Sequence, residues 1–167
     1  MGKTFRRDAI RSQLEAMRGA FHALLNSISD NDLGRLTSGN TWSVKAELVH
    51  VIQAAQFVPG GIDQARQGRR TSLLSMVPTG LRDWVNGEIL IPMLARHATR
   101  ESIAQDYDRV HAQMIAKLDA LSVEELDRGT TFLGRYRTVE QIFHRPVEHF
   151  QEHAAHIRQS LNINGKN

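Results

Sequence analysis

Apolar side chains recur three and four residues apart in four long segments, and this periodicity restricts the fold more than any other feature of the chain. The spacing puts the apolar side chains on one face of an α-helix, whereas a half-buried strand needs strict alternation. No alternating run is long enough to predict a strand. The predicted helices cover residues 8–28, 44–58, 100–121 and 139–161. The sequence therefore predicts an all-α protein.

Hydroxyl side chains stand where three of these helices are predicted to begin. Ser43, Thr99 and Thr138 can each accept a hydrogen bond from a free N–H group of the first helical turn. Thr138 is followed three residues later by Gln141, which matches the pattern of a capping box. These residues support the predicted helix starts.

The segments between the predicted helices are longer than the loops of a minimal four-helix bundle. They cover residues 29–42, 59–80 and 122–137. The middle segment opens with Pro59-Gly60-Gly61, which we expect to end or kink the second helix. A shorter helix over residues 81–97, interrupted near Pro92, is expected to follow it.

The length of 167 residues suits one domain, since domains usually have about 100–200 residues. The sequence contains no internal repeat and no second predicted core. We therefore expect residues 1–167 to form a single domain. Its expected architecture is a four-helix bundle with long connections and one short additional helix.

Charge and composition argue against several classes of function. The chain has 21 Lys and Arg against 18 Asp and Glu, and its basic residues form no stripe with interleaved aromatics, so we expect no nucleic-acid partner. No apolar run approaches the ~18 residues of a membrane span, and the first residues lack the apolar core of a signal peptide. We expect a soluble, cytoplasmic protein without a membrane partner. Because the chain has no cysteine, it has no thiol nucleophile of its own.

Three of the eight histidines lie where a helical bundle could hold a metal ion. On the last predicted helix, His153 falls within the apolar face and His149 at its edge. Because they are four residues apart, their Cβ atoms would be about 5–6 Å from each other. His50 lies at the edge of the apolar face of the second helix. Three imidazoles from facing helices are typical of a catalytic metal site, which keeps a fourth position for water or substrate. The same spacing also fits polar packing inside a bundle or exposure to solvent.

Glu47 stands three residues before His50 and has two interpretations. It could accept a hydrogen bond from the His50 ring and so orient that ring. Alternatively, it is an exposed glutamate in the first turn of a helix, where the helix dipole favours negative charge. We expect the exposed position.

Two stretches of the sequence, taken in this order, resemble the DinB superfamily of four-helix-bundle proteins. The first is Trp42-Ser43-Val44-Lys45 with His50 following, and the second is His149-Phe150-Gln151-Glu152-His153. The similarity extends from the first predicted helix to about Gln159. The resemblance implies the bundle fold, often as a homodimer, with a divalent metal ion held by one histidine of the second helix and two of the last. The implied ligands are His50, His149 and His153.

A second alignment of the last helix is open. His156-Ile157-Arg158-Gln159 also resembles the end of family members, and in that alignment Glu152 and His156 would take the two ligand positions. Because Glu152 projects away from the apolar face, we favour His149 and His153.

The resemblance further implies a metal-dependent transferase or isomerase that uses a low-molecular-weight thiol, such as mycothiol or bacillithiol, on a small-molecule substrate. A bound divalent ion can lower the pKa of a thiol, and three histidines suit Zn, Ni or Fe better than Ca or Mg. The alternative is a non-catalytic bundle that binds a small ligand or acts as a stress-associated interaction protein, since a fold does not fix a function. Arg66, Arg69 or Arg70 could hold an acidic substrate, although no motif selects one of them.

Overall fold

The computed structural model of the protein describes residues 2–38, 41–68 and 89–163. The helices in these ranges are α1 Gly2–Ser27, α2 Asp30–Leu33, α3 Val44–Arg66, α4 Ile91–His97, α5 Arg100–Asp119 and α6 Val139–Leu161. A short 3₁₀ helix covers Glu124–Asp127, and two strands follow it, β1 Gly129–Phe132 and β2 Arg135–Thr138. The predicted all-α fold is confirmed, with one small sheet in addition.

The apolar faces of the four long helices meet in a common core, as their periodicity predicts. α1 and α3 both pack against α5 and α6, so each long helix has two neighbours in the bundle. At the centre, the rings of Phe21 and Tyr107 are stacked with their centroids 3.8 Å apart. Large side chains that are fully buried include Ile10, Leu14, Phe21, Leu24, Leu25, Leu48, Ile62, Ile103, Tyr107, Met114 and Phe143.

The predicted caps of three long helices are present. The hydroxyl oxygen of Ser43 accepts from the backbone N–H of Ala46, and that of Thr99 accepts from the backbone N–H of Ser102. Thr138 forms a complete capping box with Gln141. Because these bonds satisfy N–H groups that lack helical partners, they fix the first turn of each helix.

Ion pairs along the bundle show the directions of α1 and α5. Arg11 pairs with Asp119, and Arg18, two turns further along α1, pairs with Asp108 at 2.7 Å. The guanidinium of Arg100 at the start of α5 donates to the backbone carbonyl of Leu25, in the last turn of α1, and to that of Ile28, just after α1, at 2.6 Å. The two helices are therefore antiparallel.

The helices α3 and α5 run in the same direction. Lys117 near the end of α5 pairs with Asp63 near the end of α3, with an N–O distance of 2.7 Å. The end of α3 and the start of α5 therefore lie at opposite ends of the bundle, and a short loop could not join them. Within the connection between them, α4 begins at Ile91 with Pro92 in its first turn and packs on α3. The remainder of the helix expected over 81–97, residues 81–88, lies outside the described residues.

The helix predicted over residues 44–58 is α3 in the structure, and it is longer than predicted. It continues through Pro59-Gly60-Gly61 to Arg66, because Ile62 and Ala65 carry its buried face onward into the core. Gly61 provides room for the ring of Phe132: a Cβ atom at this position would lie 2.5 Å from Cδ2 of that ring. The prediction that α3 ends at Pro59-Gly60-Gly61 is wrong, because packing in the core outweighs the helix-breaking tendency of these three residues.

A β-hairpin stands where no strand is predicted. β1 and β2 pair antiparallel, and the turn between them is Leu133-Gly134, with φ angles of 49° and 79°. Positive φ at both central residues is the pattern of a type I′ turn, whose twist matches that of a hairpin. Strands of four residues are too short to show alternation in the sequence, so the periodicity could not predict them. The ring of Phe132 packs against α3 at Gly61 and holds the hairpin there.

No helix in the described part of the chain combines the length and the apolar character that a membrane span needs.

Replacing Gly61 with alanine should destabilise the protein by about 1–3 kcal/mol, because the new methyl group overlaps the ring of Phe132. Gly60→Ala is the matched control. No atom lies within 4 Å of its added Cβ, so the better helix propensity of alanine should stabilise this variant by up to ~1 kcal/mol. Urea unfolding of the two variants tests this, and equal midpoints would contradict the role given to Gly61.

Candidate metal centre

Side chains of His50, His149 and His153 converge between α3 and α6. One ring nitrogen from each lies within 4.8 Å of the others. The Nε2 atoms of His149 and His153 are 3.2 Å apart, and the His50 ring centroid is 4.9 and 5.0 Å from those of His149 and His153. The sequence predicts this meeting, and the structure brings the three residues together. Their assignment as metal ligands stays a prediction.

The antiparallel packing of α3 and α6 creates the cluster. His149 and His153 are neighbours on one face of α6 because they are one helical turn apart. His50 faces them from α3, and its other side packs on Trp42, with ring centroids 4.8 Å apart. All three histidines are half-buried. The helices and Trp42 therefore restrict the positions of the rings but leave the cluster accessible.

A buried carboxylate supports the cluster from behind. Glu47 is 0% exposed, and its Oε2 accepts a hydrogen bond of 2.9 Å from Nδ1 of His153. Its Oε1 accepts from Thr37 Oγ1 at 2.6 Å and lies 2.7 Å from Nδ1 of His156. The expectation that Glu47 is exposed is wrong. It does orient a histidine of the cluster, but that histidine is His153 rather than His50.

The hydrogen bonds to Glu47 determine which nitrogen of His153 faces the cluster. Burial alone would raise the pKa of Glu47, but the bonds from His153 and Thr37 outweigh it, and the pKa is lowered. The carboxylate is therefore an acceptor at neutral pH, and Nδ1 of His153 donates to it. This bond directs Nε2 of His153 toward the cluster, where it lies 3.2 Å from Nε2 of His149.

The residues of the alternative alignment have other partners. Both ring nitrogens of His156 face acceptors, Glu47 on one side and the backbone carbonyl of Ser38, 2.8 Å away, on the other. Glu152 has a side chain that is 61% exposed and pairs with Arg145 at 3.2 Å. The geometry therefore supports His149 and His153 over Glu152 and His156.

Comparison with known proteins agrees with this architecture. A family model of the DinB superfamily matches residues 13–157. The chain belongs to the DinB superfamily. Neither the curated proteins nor the solved structures gave a match.

The other two histidines of the cluster, His50 and His149, are held as neutral rings in this DinB protein. Burial, followed by the charge of His153, lowers the pKa of His50 to about 4. Burial and the neighbouring His153 and His50 lower the pKa of His149 to about 3. Neutral imidazole is the form that binds metal ions, so these two side chains need not lose a proton at pH 7.

The donor set fits a divalent metal ion. The Nδ1 atoms of His50 and His149 are buried and have no hydrogen-bond partner within the described ranges. A buried polar atom without a partner costs about 1–3 kcal/mol, so these two Nδ1 atoms destabilise the fold as long as nothing binds them. Three imidazoles that meet at one place satisfy the ligand number of catalytic metal sites.

Sequence reasoning missed Thr37 and His156 as supports of Glu47. Thr37 lies in no motif, and His156 was considered only as an alternative metal ligand. Both meet Glu47 because the segment before α3 packs against the end of α6. Among the arginines considered for an acidic substrate, Arg66 pairs with Glu125 at 3.0 Å, and Arg69 and Arg70 lie outside the described residues.

Replacing Glu47 with glutamine should weaken metal binding about 10–100-fold, because His153 loses the ionised acceptor that fixes its proton on Nδ1. Competition with a chelating dye, with zinc as the probe, measures the affinity. Glu152→Gln removes the same charge at an exposed position and should leave the affinity unchanged. Equal affinities of the two variants would show that Glu47 does not act on the site, provided that circular dichroism shows both folded.

Proposed function

We propose that this DinB protein holds one divalent ion, Zn, Ni or Fe, on His50, His149 and His153, and that it transfers a small thiol to an electrophilic substrate. The observation that carries the proposal is the meeting of three imidazole nitrogens in front of Glu47, the buried carboxylate that fixes His153. All-nitrogen ligands favour these ions over Ca and Mg, which prefer oxygen.

The side chains of the cluster have separate tasks in this proposal. A divalent ion bound to them would supply Lewis acidity that lowers the pKa of a thiol. Glu47 keeps the proton of His153 on Nδ1, so that Nε2 remains a ligand atom. Trp42 covers one side of the His50 ring and limits the water that reaches it.

The thiol in this proposal comes from solution. The chain contains no cysteine, so no protein thiol competes for the cluster or attacks the substrate. Mycothiol and bacillithiol are the proposed donors, and the substrate is a small electrophile. We also propose that the protein acts as a homodimer, as the resemblance implies.

Metal binding should raise the melting temperature of protein prepared without a tag or a nickel column. Zinc at 100 times its Kd adds about 2.7 kcal/mol, which corresponds to about 5–11 °C for a domain of this size. His153→Ala should abolish the increase. His144→Ala, on the same helix but in the groove between α1 and α6, should retain it. Equal shifts in both variants would place the bound ion elsewhere, and elemental analysis gives its stoichiometry.

Thiol transfer should require both the ion and a thiol, and should be lost in His50→Ala while the fold persists. The assay is conjugation of a generic electrophile with glutathione, mycothiol or bacillithiol, with Zn, Ni or Mn added. The rate should rise with pH until the bound thiol is ionised. A metal-loaded protein that gives no rate above the free-thiol background would favour the non-catalytic ligand-binding alternative.

A further inference from the structure

A groove runs along the bundle between α1 and α6, whereas the histidine cluster lies between α3 and α6. Its cavity volume is about 590 Å³, and sites for small molecules have volumes of about 300–1,000 Å³. The two helices are parallel, since Arg6 near the start of α1 pairs with Glu140 near the start of α6. The groove therefore follows both helices over several turns.

The floor of the groove is apolar. Met17 and Phe150 are buried beneath it, and Val147 is half-buried at its side. Ala20 and Ala154 keep the groove open, because their side chains are too short to fill the space between the helices. An apolar chain that lies here removes its own surface and that of the floor from water, which favours binding.

The side chain of Arg158 lines one end of the groove and is half-buried. Its guanidinium has no hydrogen bond and no ion pair with any residue of the described ranges. A partly buried charge without a partner is costly, so this end of the groove favours an anion. The other half-buried arginines of the described ranges all have a carboxylate or carbonyl partner: Arg6, Arg7, Arg11, Arg66, Arg100, Arg137 and Arg145.

The acidic side chain of the groove lies far from Arg158. Glu148 is the one acidic residue among the described residues that line the groove. It is 64% exposed and lies 3.6 Å from Arg145. Positions 148 and 158 are separated by about 15 Å of helix. Glu148 therefore does not compete for the guanidinium of Arg158, and the charge at that end of the groove is positive.

The apolar floor sets the length of a chain that the groove can hold. From Val147 to Arg158, the helix α6 rises by about 16 Å. A fully extended chain advances by about 1.2 Å per bond, so this distance accommodates roughly twelve to fourteen carbons.

We propose that the groove between α1 and α6 binds a free long-chain carboxylate, a fatty acid of about twelve carbons, with its head group on Arg158 and its chain along the apolar floor. The planar guanidinium offers paired N–H donors that match the two oxygens of a carboxylate. The site does not depend on the proposed metal-dependent function. It gives the protein a second class of ligand on the opposite side of α6 from α3.

Isothermal titration of the metal-free full chain tests this with three probes below their micellar concentrations: dodecanoate, dodecyltrimethylammonium and octanoate. Dodecanoate should bind once per chain and at least tenfold more tightly than either of the others. Dodecyltrimethylammonium has the same chain with the opposite charge, and octanoate leaves part of the floor uncovered. NMR shifts of the methyl groups of Met17 and Ala154 should place dodecanoate in the groove.

Arg158→Gln should weaken dodecanoate binding about tenfold. Arg109→Gln removes the same charge from an exposed position on α5 and should have no effect. Ala20→Leu should also weaken binding at least tenfold, because the larger side chain fills the groove, whereas non-specific adsorption of an apolar chain would be unchanged or strengthened. Ala16→Leu, at an exposed position of the same groove, provides this test if Ala20→Leu does not fold.

Equal affinities for dodecanoate and dodecyltrimethylammonium, or dodecanoate binding that survives Arg158→Gln, would overturn the proposal. Two further results would assign the groove to another occupant and overturn it as well. One is a wild-type dimer in sedimentation velocity that does not bind dodecanoate and that Arg158→Gln dissociates, which indicates a second copy of the chain. The other is flotation with phosphatidylglycerol vesicles without binding of free dodecanoate, which indicates a membrane surface.

Discussion

The buried carboxylate of Glu47 is the interaction on which the centre of this protein depends. A carboxylate that is 0% exposed is costly unless polar groups surround it. Thr37 and His153 donate hydrogen bonds to Glu47, and Nδ1 of His156 lies 2.7 Å from it. These donors come from the segment before α3 and from α6, so the same bonds that stabilise the charge also hold α6 against α3. One residue thus joins three parts of the chain and fixes the orientation of His153.

The directions of α3 and α6 bring Glu47 and the three histidines together. Because α3 and α6 are antiparallel, the start of α3 meets the second half of α6, and His50 faces His149 and His153. The end of α3 meets the hairpin that leads into α6, where Gly61 admits the ring of Phe132. Contacts at both ends of this helix pair therefore set its register, and the position of the histidines follows from that register.

The cluster is supported from the interior outward. Glu47 holds His153 from the interior, and the three imidazoles meet at the edge of the core. In the proposed function, these imidazoles bind the ion. The fold of the DinB superfamily supplies the bundle that brings them together.

The sequence by itself determined the local structure. The periodicity and the cap at Thr138 predict α6 at its observed bounds, and the spacing of His149 and His153 places them together on any helix. Tertiary structure decided the rest. The α3 helix continues beyond Pro59 because the core packs its last turns, and the hairpin exists because Phe132 docks on that helix. Glu47 and His153 are 106 residues apart in the sequence. Their hydrogen bond therefore depends on the directions of the helices and not on local spacing. Local patterns encode which face of a helix is apolar, but only the packed bundle determines which distant side chain that face meets.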